Sequence, residues 1–185
     1  MRCFAKILRY LSIPLLLVLS SVLAVSLFDV CQGLAGKEIK IFLISLLPWC
    51  LVFCKWRLAP VYVFGHEMTH WLAAKLTFHQ TGRISVGRSK GYVEVSKPTG
   101  FITLAPYFFP LYFIVLSGLM VICQPWLQAK IPNYAPVVTA ILLAGALAYH
   151  FTLTCIALYH GQDDMKFWGT SFPLTLILFL NLMMI

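Results

Sequence analysis

Five residues, His66-Glu67-Met68-Thr69-His70, carry the densest chemistry in an almost wholly apolar chain. On a helix, residues four apart share a face, so both imidazoles can point at one metal ion. Glu67 sits beside them, within reach of a water on that ion. Two nitrogen ligands and a carboxylate base in the spacing His-Glu-x-x-His form the pattern of zinc hydrolases. The motif follows Pro60-Val61-Tyr62-Val63-Phe64-Gly65 and precedes Trp71-Leu72-Ala73-Ala74. A carboxylate and two histidines inside such a segment are costly, which points to function.

Two histidines need a third protein ligand, with one position kept for water. The acidic residues are six: Asp29, Glu38, Glu67, Glu94, Asp163 and Asp164. Asp29 and Glu38 fall in the first loop, and Glu94 in a polar hairpin. Asp163 and Asp164 lie together in His160-Gly161-Gln162-Asp163-Asp164-Met165-Lys166. Alone that stretch reads as an ordinary polar loop; beside a motif lacking a ligand, it becomes the first source of one. His150, inside an apolar segment, is a further candidate as ligand, hydrogen-bonded neighbour or packing residue. His79 reads as interfacial, His160 as a group shaping the acidic loop, and Tyr107-Phe108-Phe109 as membrane packing.

The elements that must position these residues follow from composition. Of 185 residues, 61% are hydrophobic and 11% charged, whereas a soluble domain has about 25% charged residues. With a mean hydropathy of +0.87, the chain reads as an integral multi-pass protein of a lipid bilayer. The net charge of +8 comes without a basic run; Arg2, Lys6 and Arg9 flank the first apolar segment, which argues against nucleic acid as a partner. The six cysteines show no Cys-x-x-Cys and no disulfide-rich spacing.

Apolar segments lie near 8–28, 39–58, 60–78, 101–123, 136–159 and 167–185, most near the roughly 20 residues that cross a bilayer. The fold class expected is an all-α membrane protein, a polytopic bundle of about five to six transmembrane helices with a small β-hairpin after the His-Glu-x-x-His helix. Residues 1–58 read as accessory transmembrane helices and 59–185 as the core. The first segment exceeds the roughly 7–15 apolar residues of a signal peptide, so it reads as an uncleaved signal anchor. Pro60 suits a helix start. Pro106 and Pro110 predict a kink or break in the fourth segment. Arg2, Lys6 and Arg9 argue for a cytoplasmic N-terminus. Simple alternation would then set Arg83, Arg88, Lys90 and Lys97 on the far side, so either the spans do not alternate or that stretch is not a free loop.

Between Gly82 and Gly100 lies the one polar interlude of any size. Arg83-Ile84-Ser85-Val86 and Tyr92-Val93-Glu94-Val95 alternate in character around Gly87-Arg88-Ser89-Lys90-Gly91, which predicts a hairpin with a glycine-bounded turn. Beside a hydrolytic site its edge could hold an unwound substrate as an added strand, with Tyr92, Val93 and Val95 in contact. Asn181 and His150 are candidates for stabilising an oxyanion beside the metal, and Asn181 is also a candidate contact for substrate.

From about residue 60 to 185 the chain resembles the site-2 protease family of intramembrane zinc metalloproteases (peptidase family M50). The likeness rests on Gly65-His66-Glu67-x-x-His70 in a membrane helix, the hairpin, and later spans with a late aspartate. Gln162-Asp163-Asp164-Met165, followed by Gly169 and Asn181, resembles a Gln-x-Asp-aliphatic form of small bacterial M50-like proteins. The longer Asn-x-x-Pro-x-x-x-x-Asp-Gly form is absent, as is any PDZ-like insertion. The resemblance implies that His66 and His70 bind Zn2+, that Glu67 is the base, and that Asp164, with Asp163 as the alternative, is the third ligand. It implies a metalloendopeptidase of the bacterial inner (cytoplasmic) membrane that cleaves peptide bonds in or near transmembrane segments of membrane-protein substrates. The alternative is a non-catalytic zinc-binding membrane protein, an inactive relative or a metal carrier, which has no need of Glu67.

Overall fold

The computed structural model describes residues 12–26, 36–161, 164 and 171–183. Expectations that fall on Arg2, Lys6, Arg9, Asp29, Gln162, Asp163, Lys166 and Gly169 lie outside the described residues. Within them the chain is mostly helical, with seven helices and one two-stranded ribbon. In order these are α1 (Ser12–Ser26), α2 (Lys37–Lys55), α3 (Ala59–Leu76), β1 (Thr81–Val86), β2 (Gly91–Val95), α4 (Gly100–Phe108), α5 (Leu111–Lys130), α6 (Ala135–His160) and α7 (Ser171–Met183).

Two helices, α5 and α6, are long and apolar enough to cross a membrane. The pair α2 and α3 adds a third if it is taken as one span bent by 107°. The helices α1 and α7 are apolar but shorter over the described residues. Among the described residues the count is therefore two or three, which does not confirm the five to six expected. Part of the reason is local. The segment expected over 101–123 breaks at Phe109–Pro110, because proline at 110 offers no amide to the preceding turn. What precedes the break, α4, has nine residues and rises only about 14 Å, half of a hydrocarbon core of about 30 Å. At the other bend Leu58 takes a left-handed φ of 44°, which turns the chain from α2 into α3.

The core of the bundle joins α3, α4, α6 and α7 through Ala73, Ala74, Leu104, Ala105, Phe108, Ala157 and Ile177. Small residues let α3 close on α4 (Ala73, Ala74) and α6 close on α2 (Ala144, Gly145, Ala148). The helix α2, from the part expected to be accessory, packs along α6. The Trp49 indole donates to the Ile141 carbonyl at 3.1 Å, and its ring lies where a Cβ on Gly145 would come within 3.0 Å. Phe53 meets Tyr149 edge to face with ring centroids 4.9 Å apart. No residue of α5 is fully buried, although the helix packs along α6 and sets Tyr112 against Gly65 of α3.

The hairpin forms where its alternation predicts. Val86 pairs with Gly91, Ser85 with Tyr92 and Ile84 with Val93, with an irregularity before Thr81 and Val95. The turn closes with the Gly87 amide donating to the Lys90 carbonyl at 2.9 Å, and the far end with the Ser96 amide donating to the Gln80 carbonyl at 3.0 Å. Amides alternate sides along a strand. Between these two closures the Tyr92 and Glu94 amides face β1, and the Val93 and Val95 amides face the opposite edge.

Candidate metal centre

The helix α3 carries the His-Glu-x-x-His residues and is fixed at both ends. Pro60 occupies its first turn, where a missing amide costs nothing. At its C-terminus Phe78 takes a left-handed φ of 59°, and the His79 amide donates back to the Ala74 carbonyl at 2.8 Å. That closure satisfies a terminal carbonyl. In mid-helix Gly65 admits Tyr112 of α5, whose ring would lie 2.5 Å from a Cβ there. The Thr69 hydroxyl, buried, donates to the Gly65 carbonyl at 2.7 Å.

His66 and His70 meet on one face of α3, and Asp164 comes to them from beyond α6. The two Nε2 atoms lie 3.2 Å apart. Asp164 Oδ2 is 3.4 Å from His66 Nε2 and 3.5 Å from His70 Nε2. The three atoms thus form a nearly equilateral triangle. A tetrahedral ion with bonds of about 2.0–2.1 Å sets its donor atoms about 3.3–3.4 Å apart. Two imidazoles and a carboxylate therefore present one face of a tetrahedron sized for such an ion, with the fourth direction left over. This His-His-Asp group could hold a metal ion. Burial works against ionisation of Asp164, but the two imidazoles beside it outweigh that and hold the carboxyl below the usual carboxylate range.

The ring of His70 is aimed by a proline. Its Nδ1–H donates to the Ile102 carbonyl in α4 at 2.7 Å. Within α4 that carbonyl would accept from residue 106, but Pro106 has no amide hydrogen. The carbonyl is free for the imidazole, and the bond leaves the Nε2 lone pair facing the metal position. His66 Nδ1 lies 3.5 Å from Tyr62 Oη, one turn earlier on the same face. Tyr107 donates its phenol hydrogen to Asp164 Oδ2 at 3.0 Å.

Glu67 is 6% exposed and lies beside the triangle, turned toward the hairpin. A Cβ on Gly91 would stand 2.6 Å from Glu67 Cγ and 2.9 Å from Val63 Cγ1. Only glycine lets β2 come this close to α3. Among the described residues no hydrogen bond is donated to the Glu67 carboxylate, so both oxygens remain for a water.

The site opens into a cavity of about 500 Å³. The His66, His70 and Asp164 side chains and Glu67 line one side of it, and Tyr92, Val93 and Val95 line the other. Asn181 and His150 do not border this cavity. The Asn181 amide nitrogen donates to the Tyr107 and Ile177 carbonyls, and His150 Nε2–H donates to Asn181 Oδ1 at 3.2 Å. Glu94 does lie in the hairpin, exposed, and accepts from the Arg83 amide at 3.1 Å across it. Two site tyrosines escaped the sequence reading. Tyr62 could have been found four residues before His66 on one helical face. Tyr107, read as membrane packing, carried no signal, since its contact with Asp164 spans 57 positions. No family model matches this chain, nor does any curated protein or solved structure.

Proposed function

We propose that the protein is an intramembrane zinc metalloendopeptidase of a bacterial inner membrane, acting on peptide bonds in or near transmembrane segments. The observation that carries this reading is the placement of Glu67 beside a tetrahedrally spaced His-His-Asp triangle, inside a cavity walled by a strand edge. Imidazole and carboxylate donors suit zinc among the ions that such a set takes. A zinc ion bound there supplies Lewis acidity toward a water and a substrate carbonyl oxygen.

The residues of the chain supply the rest. Glu67 accepts a proton from the attacking water as its oxygen adds to the carbonyl carbon. It then returns that proton to the amine nitrogen as the C–N bond breaks. Burial of Glu67 between α3 and β2 keeps it close to the metal position and apart from bulk water. His70 and His66 are held by Ile102 and Tyr62, so neither must reorient as metal binds. The outward Val93 and Val95 amides are donors for an extended segment, whose side chains would alternate into the cavity. A helical substrate must unwind to use them, and strand pairing offsets part of that cost.

Stripping the purified protein with 1,10-phenanthroline is expected to abolish cleavage of a co-reconstituted single-span reporter, and added Zn2+ to restore it. Cleavage that survives complete metal removal would contradict the proposal. Proline at Val93 or at Val95 removes an outward amide without touching the ladder to β1. Each change is expected to lower turnover about tenfold, the value of one good hydrogen bond, with zinc content unchanged. Wild-type turnover in both variants would remove the strand edge from substrate binding.

A further inference from the structure

His150 and Asn181 are polar groups set in apolar helices, where each is costly without a partner. Both are engaged, and with each other. The Asn181 amide nitrogen donates at 2.8 Å to the Tyr107 carbonyl and at 2.8 Å to the Ile177 carbonyl of its own helix. Two carbonyls on one side fix the amide's orientation, so Oδ1 must face His150 and accept from its Nε2–H. The Tyr107 carbonyl is available because α4 ends at Phe108. The Leu111 amide that would have capped it donates to Phe109 instead, at 2.8 Å. Tyr107 itself is 0% exposed, and its phenol reaches Asp164 Oδ2, the oxygen facing both histidines.

We infer that Tyr107 is a positioning residue for the metal-binding carboxylate, and that Asn181 and His150 act through it. The chain of contacts runs His150–Asn181–Tyr107–Asp164 and links α6, α7 and α4 to the metal position. This rests on the metal reading of His66, His70 and Asp164. A free carboxylate side chain loses rotamer freedom when it ligates. A phenol donor held rigidly in a buried helix removes part of that loss beforehand. Two clamps hold the phenol: packing around its ring and Asn181 on its backbone carbonyl. Partners of metal ligands set affinity by about 10- to 100-fold when removed. The polar groups of α6 and α7 thereby gain a purpose that does not require contact with substrate.

The test titrates the purified full-length protein in detergent with Zn2+ against a competing chromophoric chelator, and records the visible spectrum with Co2+. Tyr107→Phe keeps the ring and removes the donor. It is expected to weaken zinc binding about 10- to 100-fold and to shift the Co2+ bands as the carboxylate reorients, with little change in the apo melting temperature. Asn181→Ala is expected to weaken binding by a smaller factor. It should add nothing in the Tyr107→Phe background, because both act on one group. Zinc affinity of Tyr107→Phe within twofold of wild type would overturn the inference while leaving the metal centre standing. An equal loss from Asn181→Ala in both backgrounds would overturn the link between Asn181 and Tyr107. Should Asn181→Ala fail to fold, Tyr107→Phe alone carries the decision. A wild-type protein with no His66-dependent zinc binding would overturn the metal reading and this inference together.

Discussion

Glu67→Gln is expected to lose about 100- to 10,000-fold in peptide-bond hydrolysis, the usual worth of a positioned general base, while its zinc stays bound. The two changes separate because Glu67 is not among the three donors that form the triangle. Glutamine has the same shape, so the close packing of Gly91 against Cγ is kept. No hydrogen bond to the carboxylate among the described residues is lost. What disappears is the carboxylate that, on the proposed mechanism, takes a proton from water and returns it. The measurement is cleavage of a single-span reporter together with zinc per chain, on the same preparation. Near wild-type cleavage by Glu67→Gln would remove Glu67 from the mechanism. A wild-type protein that holds zinc yet cleaves no transmembrane reporter would instead support the non-catalytic alternative.

Asp164→Asn should lower zinc affinity by more than the roughly 10- to 100-fold that partners of metal ligands typically carry, and activity with it. The change substitutes a neutral amide for the one anion in the triangle. It also leaves Tyr107 donating to a weaker acceptor. Asp163→Asn is expected to have a mild effect, since adjacent side chains point apart. Zinc titration of both variants decides the order. The reverse order would move the third ligand to Asp163. Indifference to both changes would dissolve the His-His-Asp group as a metal site. His150 is poorly placed to replace them, because its Nε2 is already committed to Asn181.

Much of the site was legible because its signals are local. The four-residue spacing of His66 and His70 needs only a helix to place two rings on one face. The alternation on either side of Gly87–Gly91 needs only a turn to become a ribbon. Both are periodicities, and periodicity survives in one dimension. The third donor was legible by scarcity: with so few carboxylates in the chain, the pair near 164 stood out. What was not legible depends on tertiary approach. Pro106 and Pro110 announced a break, but not that the carbonyls freed on Ile102 and Tyr107 would be taken by His70 and Asn181. Nor could a phenylalanine-flanked tyrosine be told from a packing residue before Asp164 was seen against it. The span count is coarser for a similar reason: the described residues confirm two or three spans and not the five to six expected. Hydropathy measures how apolar a stretch is, not how long a helix it forms: the break expected from Pro106 and Pro110 leaves α4 with only nine residues.

The existence of a metal centre built from His66, His70 and Asp164 is tested most directly by counting zinc. The full-length protein, purified after equilibration with Zn2+ and removal of loosely held ion, is analysed by atomic emission as wild type, His66→Ala and His70→Ala. About one zinc per chain is expected in the wild type, as for a single tetrahedral site, and background levels in both variants. Zinc retained equally by all three proteins, or absent from the wild type, would contradict it.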